Sequence, residues 1–215
     1  MNHIAAFDAA VVRCPLIAIL RGVTPSEVVA IGEALVDAGF SLIEVPLNSP
    51  DPLESVARLA KAFAGRAVIG AGTVLEEQEV EAVQAAGGTM IVSPNSNIDV
   101  IERTVRTGLV SLPGIDTASE AFAALRAGAS ALKLFPAEGA NPAVLKAMRA
   151  VLPASVRMFP VGGITPDNMS TWLKAGAAGF GLGSALYTPG STPELVSERA
   201  RKFVAALAAD QFPRT

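Results

Sequence analysis

Apolar residues gather in short runs rich in strand-forming side chains, and amphipathic stretches of Ala, Val, Leu and Glu lie between them. The runs are Leu16–Arg21, Leu42–Leu47, Ala67–Thr73, Met90–Pro94, Leu109–Pro113, Ala131–Phe135, Val156–Val161 and Gly179–Ser184, and they start roughly 19 to 26 residues apart. Regular alternation of strand and helix is the signature of a parallel α/β fold. Helix punctuation supports it. Thr24-Pro25-Ser26-Glu27 and Thr117 with Glu120 read as N-caps with a capping-box glutamate, and Asn141-Pro142 and Thr165-Pro166 read as a cap followed by a proline at the first helical position. Gly39, Gly87, Gly108, Gly128 and Gly176 mark the far ends of five helices.

The pattern therefore predicts eight βα units. Four of them share an Ala-Gly ending, at Ala38-Gly39, Ala86-Gly87, Ala127-Gly128 and Ala175-Gly176. Counting five residues on from the glycine lands on Glu44 in one unit and on Lys133 in another, so these two ionisable residues stand at equivalent depths on different strands. Eight units without a dinucleotide-binding fingerprint favour closure into a (β/α)8 TIM barrel; an open doubly wound sheet is the alternative that pattern alone leaves standing. With 215 residues, one barrel domain with a short N-terminal helix is the expectation.

Composition narrows the chemistry. Charged residues make up 17% of the chain and hydrophobic ones 51%, which suits strands buried on both faces. A net charge of -3, with no cluster of Lys and Arg, gives no electrostatic reason for a nucleic-acid or membrane partner and points to a small molecule. One cysteine, Cys14, and one histidine, His3, near a terminus expected to be mobile, leave disulfides, Cys/His zinc sites and Ser-His-Asp triads short of parts. Asp8 and Arg13 interrupt the apolar stretch from Ala5 to Leu20, so the start does not read as a signal peptide, and a cytoplasmic enzyme is expected.

The carriers of chemistry are then lysine, carboxylates, hydroxyls and backbone amides. Lys133 stands in Ala131-Leu132-Lys133-Leu134-Phe135. A lysine on a strand commonly snorkels to solvent, but the helix-facing side of a barrel strand has none nearby. By alternation Ala131, Lys133 and Phe135 share the inward face, while Leu132 and Leu134 face the helices. Desolvation lowers a lysine pKa and exposes a neutral amine able to attack a carbonyl. Glu44, in Leu42-Ile43-Glu44-Val45-Pro46, is either half of a structural ion pair or a general acid–base with a raised pKa. Arg21 ends the first run and is either a carboxylate clamp or a surface arginine. Thr73 adds a hydroxyl at the end of Gly70-Ala71-Gly72-Thr73. Two glycine-rich endings, Val161-Gly162-Gly163 and Gly183-Ser184, follow the seventh and eighth runs, where many barrels bind phosphate.

In order and spacing, Ile19-Leu20-Arg21-Gly22, Glu44-Val45-Pro46-Leu47-Asn48-Ser49-Pro50, Gly70-Ala71-Gly72-Thr73-Val74, Ser93-Pro94-Asn95, Lys133-Leu134-Phe135-Pro136, Val161-Gly162-Gly163 and Gly183-Ser184 resemble the 2-keto-3-deoxy-6-phosphogluconate and 2-keto-3-deoxy-6-phosphogalactonate aldolases, over nearly the whole chain. The resemblance implies a class I aldolase that needs no metal or cofactor, with Lys133 forming the Schiff base and Glu44 moving protons. It also implies Arg21, Thr73 and Phe135 around the pyruvate part, Val161, Gly162, Gly163, Gly183 and Ser184 around the phosphate, and a homotrimer. Gluconate-type members place an arginine and a threonine after the glutamate strand; this chain has Asn48-Ser49 there and a cation at Arg21 instead, which resembles the galactonate branch. The gluconate epimer, with 4-hydroxy-2-oxoglutarate as a side substrate, is the nearest alternative. A sugar-phosphate isomerase or epimerase, or a non-catalytic sugar-phosphate-binding protein, would use the same phosphate loops without needing the lysine.

Overall fold

The computed structural model describes residues 2–211. Along the chain these form α1 (His3–Arg13), β1 (Leu16–Ile19), α2 (Val28–Asp37), β2 (Leu42–Pro46), α3 (Pro52–Ala62), β3 (Val68–Gly72), α4 (Glu77–Ala85), β4 (Met90–Val92), α5 (Ile98–Arg106), β5 (Val110–Leu112), β6 (Gly114–Ile115), α6 (Ala118–Arg126), β7 (Leu132–Leu134), α7 (Pro142–Arg149), β8 (Met158–Pro160), α8 (Met169–Lys174), β9 (Phe180–Leu182) and α9 (Pro193–Gln211). Each of the eight apolar runs contains a strand.

The fifth stave is longer than its sequence run and is split. Pro113 has no N–H to give to a ladder, so β5 pairs with β4 on one side of it and β6 pairs with β7 on the other. The Pro113 carbonyl still accepts the Lys133 N–H at 2.9 Å, which stitches the two halves to β7. The larger sheet runs β5-β4-β3-β2-β1-β9 and the smaller β6-β7-β8, and a parallel bridge from Val161 to Gly181 joins them. Among the described residues this closes eight parallel staves into a (β/α)8 barrel, and the open-sheet alternative falls away.

Alternation along the staves separates two apolar layers. Leu16, Ala18, Ile43, Val45, Ile69, Leu132, Leu134, Phe180 and Leu182 face outward against the helices. Ile17, Leu42, Val68, Met90, Val110, Ala131 and Phe159 fill the inside, together with Phe7, Ala10 and Val11 of α1. The expected division between Ala131 and its leucine neighbours holds. The expected short N-terminal helix is present and starts at His3, so the terminus expected to be mobile there is instead capped, with Asn2 Oδ1 accepting the Ala5 N–H at 3.2 Å. Its apolar stripe plugs the floor of the barrel, where the Phe7 and Phe159 rings stand 6.4 Å apart. Burying that stripe offsets the ordering of the segment.

Two helix starts also sit later than the capping motifs suggest. Regular α2 begins at Val28 and α8 at Met169, each after a preliminary turn. The caps act within those turns: Glu27 Oε1 accepts the Thr24 N–H at 3.0 Å, and Asn168 Oδ1 accepts the Thr165 N–H at 3.0 Å. The capping box at Thr117 and Glu120 and the Asn141 cap form as read. No helix among the described residues is long and apolar enough to cross a membrane.

Phe7→Ala is expected to destabilise the fold by about 3–5 kcal/mol, the usual cost of emptying a buried phenylalanine site. Val12→Ala, on the outer face of the same helix, is expected to cost no more than about 0.5 kcal/mol. Denaturant midpoints compare the two; equal shifts would contradict the plug.

Candidate active site

Glu44 on β2 and Lys133 on β7 rise one step above the inner apolar layer, on the same inward faces as Leu42 and Ala131. Their depth is fixed by register: Glu44 sits between Ile19 and Gly70, and Lys133 between Gly114 and Phe159. Only 1% of Glu44 and 6% of Lys133 is exposed. Room for the carboxyl comes from the neighbouring stave. A Cβ on Gly72 would stand 1.7 Å from Glu44 Oε2, so any side chain there would force the carboxyl away. The Lys133 Nζ lies 4.5 Å from the centroid of the Phe135 ring.

Burial dominates the titration of both groups. It pushes the Glu44 carboxyl up to about 7, against the opposing pull of Lys133 and then Arg21. It pushes the Lys133 amine down, opposed by Glu44 and reinforced by Arg21. The two groups feel each other's charge, yet among the described residues no ion pair joins them, and Glu44 Oε2 has no hydrogen-bond partner. The structural ion pair weighed for Glu44 is therefore not formed. Near neutral pH the pair has access to a carboxylic acid or carboxylate beside a comparatively acidic ammonium, which is what a nucleophile with a proton shuttle requires.

The remaining predicted residues lie on the turns that leave the same ends of the staves. Arg21 is exposed, and its Nη1 donates to Asn48 Oδ1 at 2.5 Å; next to it the Gly22 N–H donates to Ser49 Oγ at 2.9 Å. Asn48 and Ser49 served in the sequence only to mark a branch, but in the fold they lock the turn after β1 to the turn after β2. Thr73 has a φ of 56°, a left-handed conformation that costs a threonine about 1–3 kcal/mol and so depends on its surroundings. Phe135 is half-buried beyond β7, and its N–H donates to the Ile115 carbonyl at 3.1 Å.

On the opposite wall, Val161 bridges to Gly181 and is followed by Gly162 and Gly163, at φ 110° and 66°, where side chains are disfavoured. Asn168 Nδ2 donates to the Gly163 carbonyl at 2.8 Å and holds that turn. Gly183 opens a helical turn in which its carbonyl accepts the Leu186 and Tyr187 N–H groups, and nothing would meet a Cβ placed on it. Ser184 is exposed beside it. The sequence reading missed Gly72, whose clue was the glycine alternation Gly70-Ala71-Gly72 on one inward strand face. It missed the Arg21–Asn48 bond for want of any local signal, because the partners are 27 residues apart.

The profile of the family described as "Aldolase: KDPG and KHG aldolase" matches residues 7–195. The 2-dehydro-3-deoxy-6-phosphogalactonate aldolase of Escherichia coli (strain K12) is 48% identical over 194 residues, covering 90% of this chain and 95% of that one. The probable 2-dehydro-3-deoxy-6-phosphogalactonate aldolase of Rhizobium meliloti (strain 1021) is 45% identical over 195 residues, 91% of each chain. A solved structure described as "Native KDPGal structure" superposes with a TM-score of 0.91 at 47% identity, covering 93% of this chain and 97% of the other. An isomerase or a non-catalytic binding protein is thereby set aside, and the chain is an aldolase, a carbon–carbon lyase, that belongs to the KDPG and KHG aldolase family.

Proposed function

We propose that this aldolase cleaves 2-dehydro-3-deoxy-6-phosphogalactonate to pyruvate and D-glyceraldehyde 3-phosphate through a Schiff base on Lys133. The observation that carries the proposal is the buried amine at the barrel mouth, its pKa lowered, in electrostatic contact with a buried carboxyl whose pKa is raised. Neutral Lys133 attacks the C2 ketone, and uptake of a proton from solvent with loss of water leaves a protonated imine; that proton is given back when the imine is hydrolysed. The Glu44 carboxylate takes the proton of the C4 hydroxyl, the C3–C4 bond breaks, and its electrons flow into the imine to give an enamine as the aldehyde leaves. The same proton returns from Glu44 to C3, and hydrolysis of the imine releases pyruvate and restores the amine.

Arg21, steadied by Asn48, is suited to the substrate carboxylate, since a planar guanidinium matches two carboxylate oxygens. Thr73 and Phe135 border the pyruvate part. Gly162, Gly163, Gly183 and Ser184 would take the phosphate on backbone amides, beside Val161 and at the start of the turn that opens at Gly183. No step in this sequence calls on a metal or cofactor. Identity to two phosphogalactonate aldolases supports the galacto epimer, as does Asn48-Ser49 after the glutamate strand. A single-domain homotrimer in the cytoplasm completes the proposal on the family resemblance, and sedimentation at a mass other than three chains would remove the trimer.

Rates of pyruvate release from the phosphorylated galactonate and gluconate epimers, measured side by side, test the substrate. The galacto epimer is expected to give the higher kcat/KM; a gluco preference would overturn the assignment. Because the Glu44 carboxyl titrates at about 7 and the cleavage step needs its ionised form, kcat is expected to rise as pH increases through about 7. A profile already flat between pH 5 and 8, in the range of an ordinary glutamate at about 4.3, would contradict the role of Glu44.

A further inference from the structure

The turn after β1 and the turn after β9 touch at two places. Tyr187, the only tyrosine in the chain, is 2% exposed and donates its hydroxyl to Glu27 Oε1 at 2.9 Å. That same oxygen accepts the Thr24 N–H at 3.0 Å, so one carboxylate holds both turns. Alongside, Gly22 lies so close to Pro189 that an added Cβ would stand 2.7 Å from the proline Cγ. Arg21 immediately precedes the glycine of the second contact. Tyr187 closes the turn that opens at Gly183, through its own N–H to the Gly183 carbonyl at 3.0 Å.

We infer that Tyr187 and Glu27 form a strap that sets the spacing between the Arg21 turn and the Gly183–Ser184 turn, which makes both of them positioning residues for the phosphate end of the substrate. The inference rests on the reading that those two turns hold opposite ends of one substrate. The end-to-end length of a six-carbon acid is set by its bonds, so a phosphate seat that drifts relative to the carboxylate clamp delivers less of its binding energy to the reacting carbons. Pyruvate has no phosphate and is insensitive to that spacing. The phenol remains a donor across the working pH range, since burial, and then Glu27, push its titration upward.

Three readouts on Tyr187→Phe and Glu27→Gln test the strap: KM for the phosphorylated substrate, inhibition by inorganic phosphate, and exchange of pyruvate methyl protons with deuterium. Losing a hydrogen bond to a charged acceptor is expected to raise KM about tenfold in Tyr187→Phe, while the inhibition constant of inorganic phosphate, which does not span the two turns, is expected to stay within about twofold. Pyruvate exchange, which uses only the amine and its proton shuttle, is expected to stay within about twofold, because no atom near the imine changes. Glu27→Gln keeps an accepting oxygen but loses its charge, and is expected to raise KM by less than Tyr187→Phe does. Exchange that falls in step with cleavage would reveal a general structural role and overturn the strap, as would an unchanged KM. An unsubstituted protein that fails to exchange pyruvate protons would instead refute the Schiff-base reading, and the strap with it.

Discussion

Taking an ammonium and a carboxylate out of water costs several kcal/mol for each ion, and their mutual attraction recovers that only when they meet in good hydrogen-bonding geometry. Glu44 and Lys133 do not meet in that way. They stand on β2 and β7, two staves that are not neighbours, close enough to shift each other's titration and without a direct ion pair among the described residues. Desolvation therefore wins at both sites, moving the acid up and the amine down. The Glu44 carboxyl is thereby poised between acid and carboxylate near neutrality, the Lys133 amine gives up its proton more readily than a free lysine, and the proposed reactivity at the mouth depends on that balance.

The rest of the barrel maintains the balance. The inner apolar layer, closed beneath by Phe7, Ala10 and Val11, keeps the floor dry, so the two groups face water only through the mouth. Gly72 leaves open the space that the Glu44 carboxyl occupies. Pro113 splits the fifth stave beside β7, yet its carbonyl still fixes the Lys133 backbone. Around the rim, bonds between successive turns, Arg21 to Asn48, Gly22 to Ser49 and Tyr187 to Glu27, hold irregular segments at set distances. The scaffold supplies rigidity, and the turns carry the residues proposed to recognise the substrate.

Much of this was legible in the chain because it is written locally. Period-two strands, capping residues and helix-ending glycines carry the barrel, and the Ala-Gly repeat puts Glu44 and Lys133 at one depth from the sequence alone. What escaped was non-local or volumetric. The capping residues at Thr24 and Thr165 were recognised, but the extra turns that delay α2 and α8 depend on where the helices dock. The plug formed by α1 depends on that helix docking against the inner layer of the staves, which its own sequence does not record. The clamp on Arg21, the seat beside Gly72 and the contact between Tyr187 and Glu27 join residues distant in sequence, and no periodicity records such meetings.

Covalent capture tests the central claim, an uncharged amine held inside the mouth. The protein would be reduced with borohydride in the presence of pyruvate and its peptides mapped by mass. The expected result is a single reduced pyruvyl group on Lys133, with Lys61, Lys146, Lys174 and Lys202 unmodified. Modification of one of those exposed lysines in its place, or of none, would contradict the account.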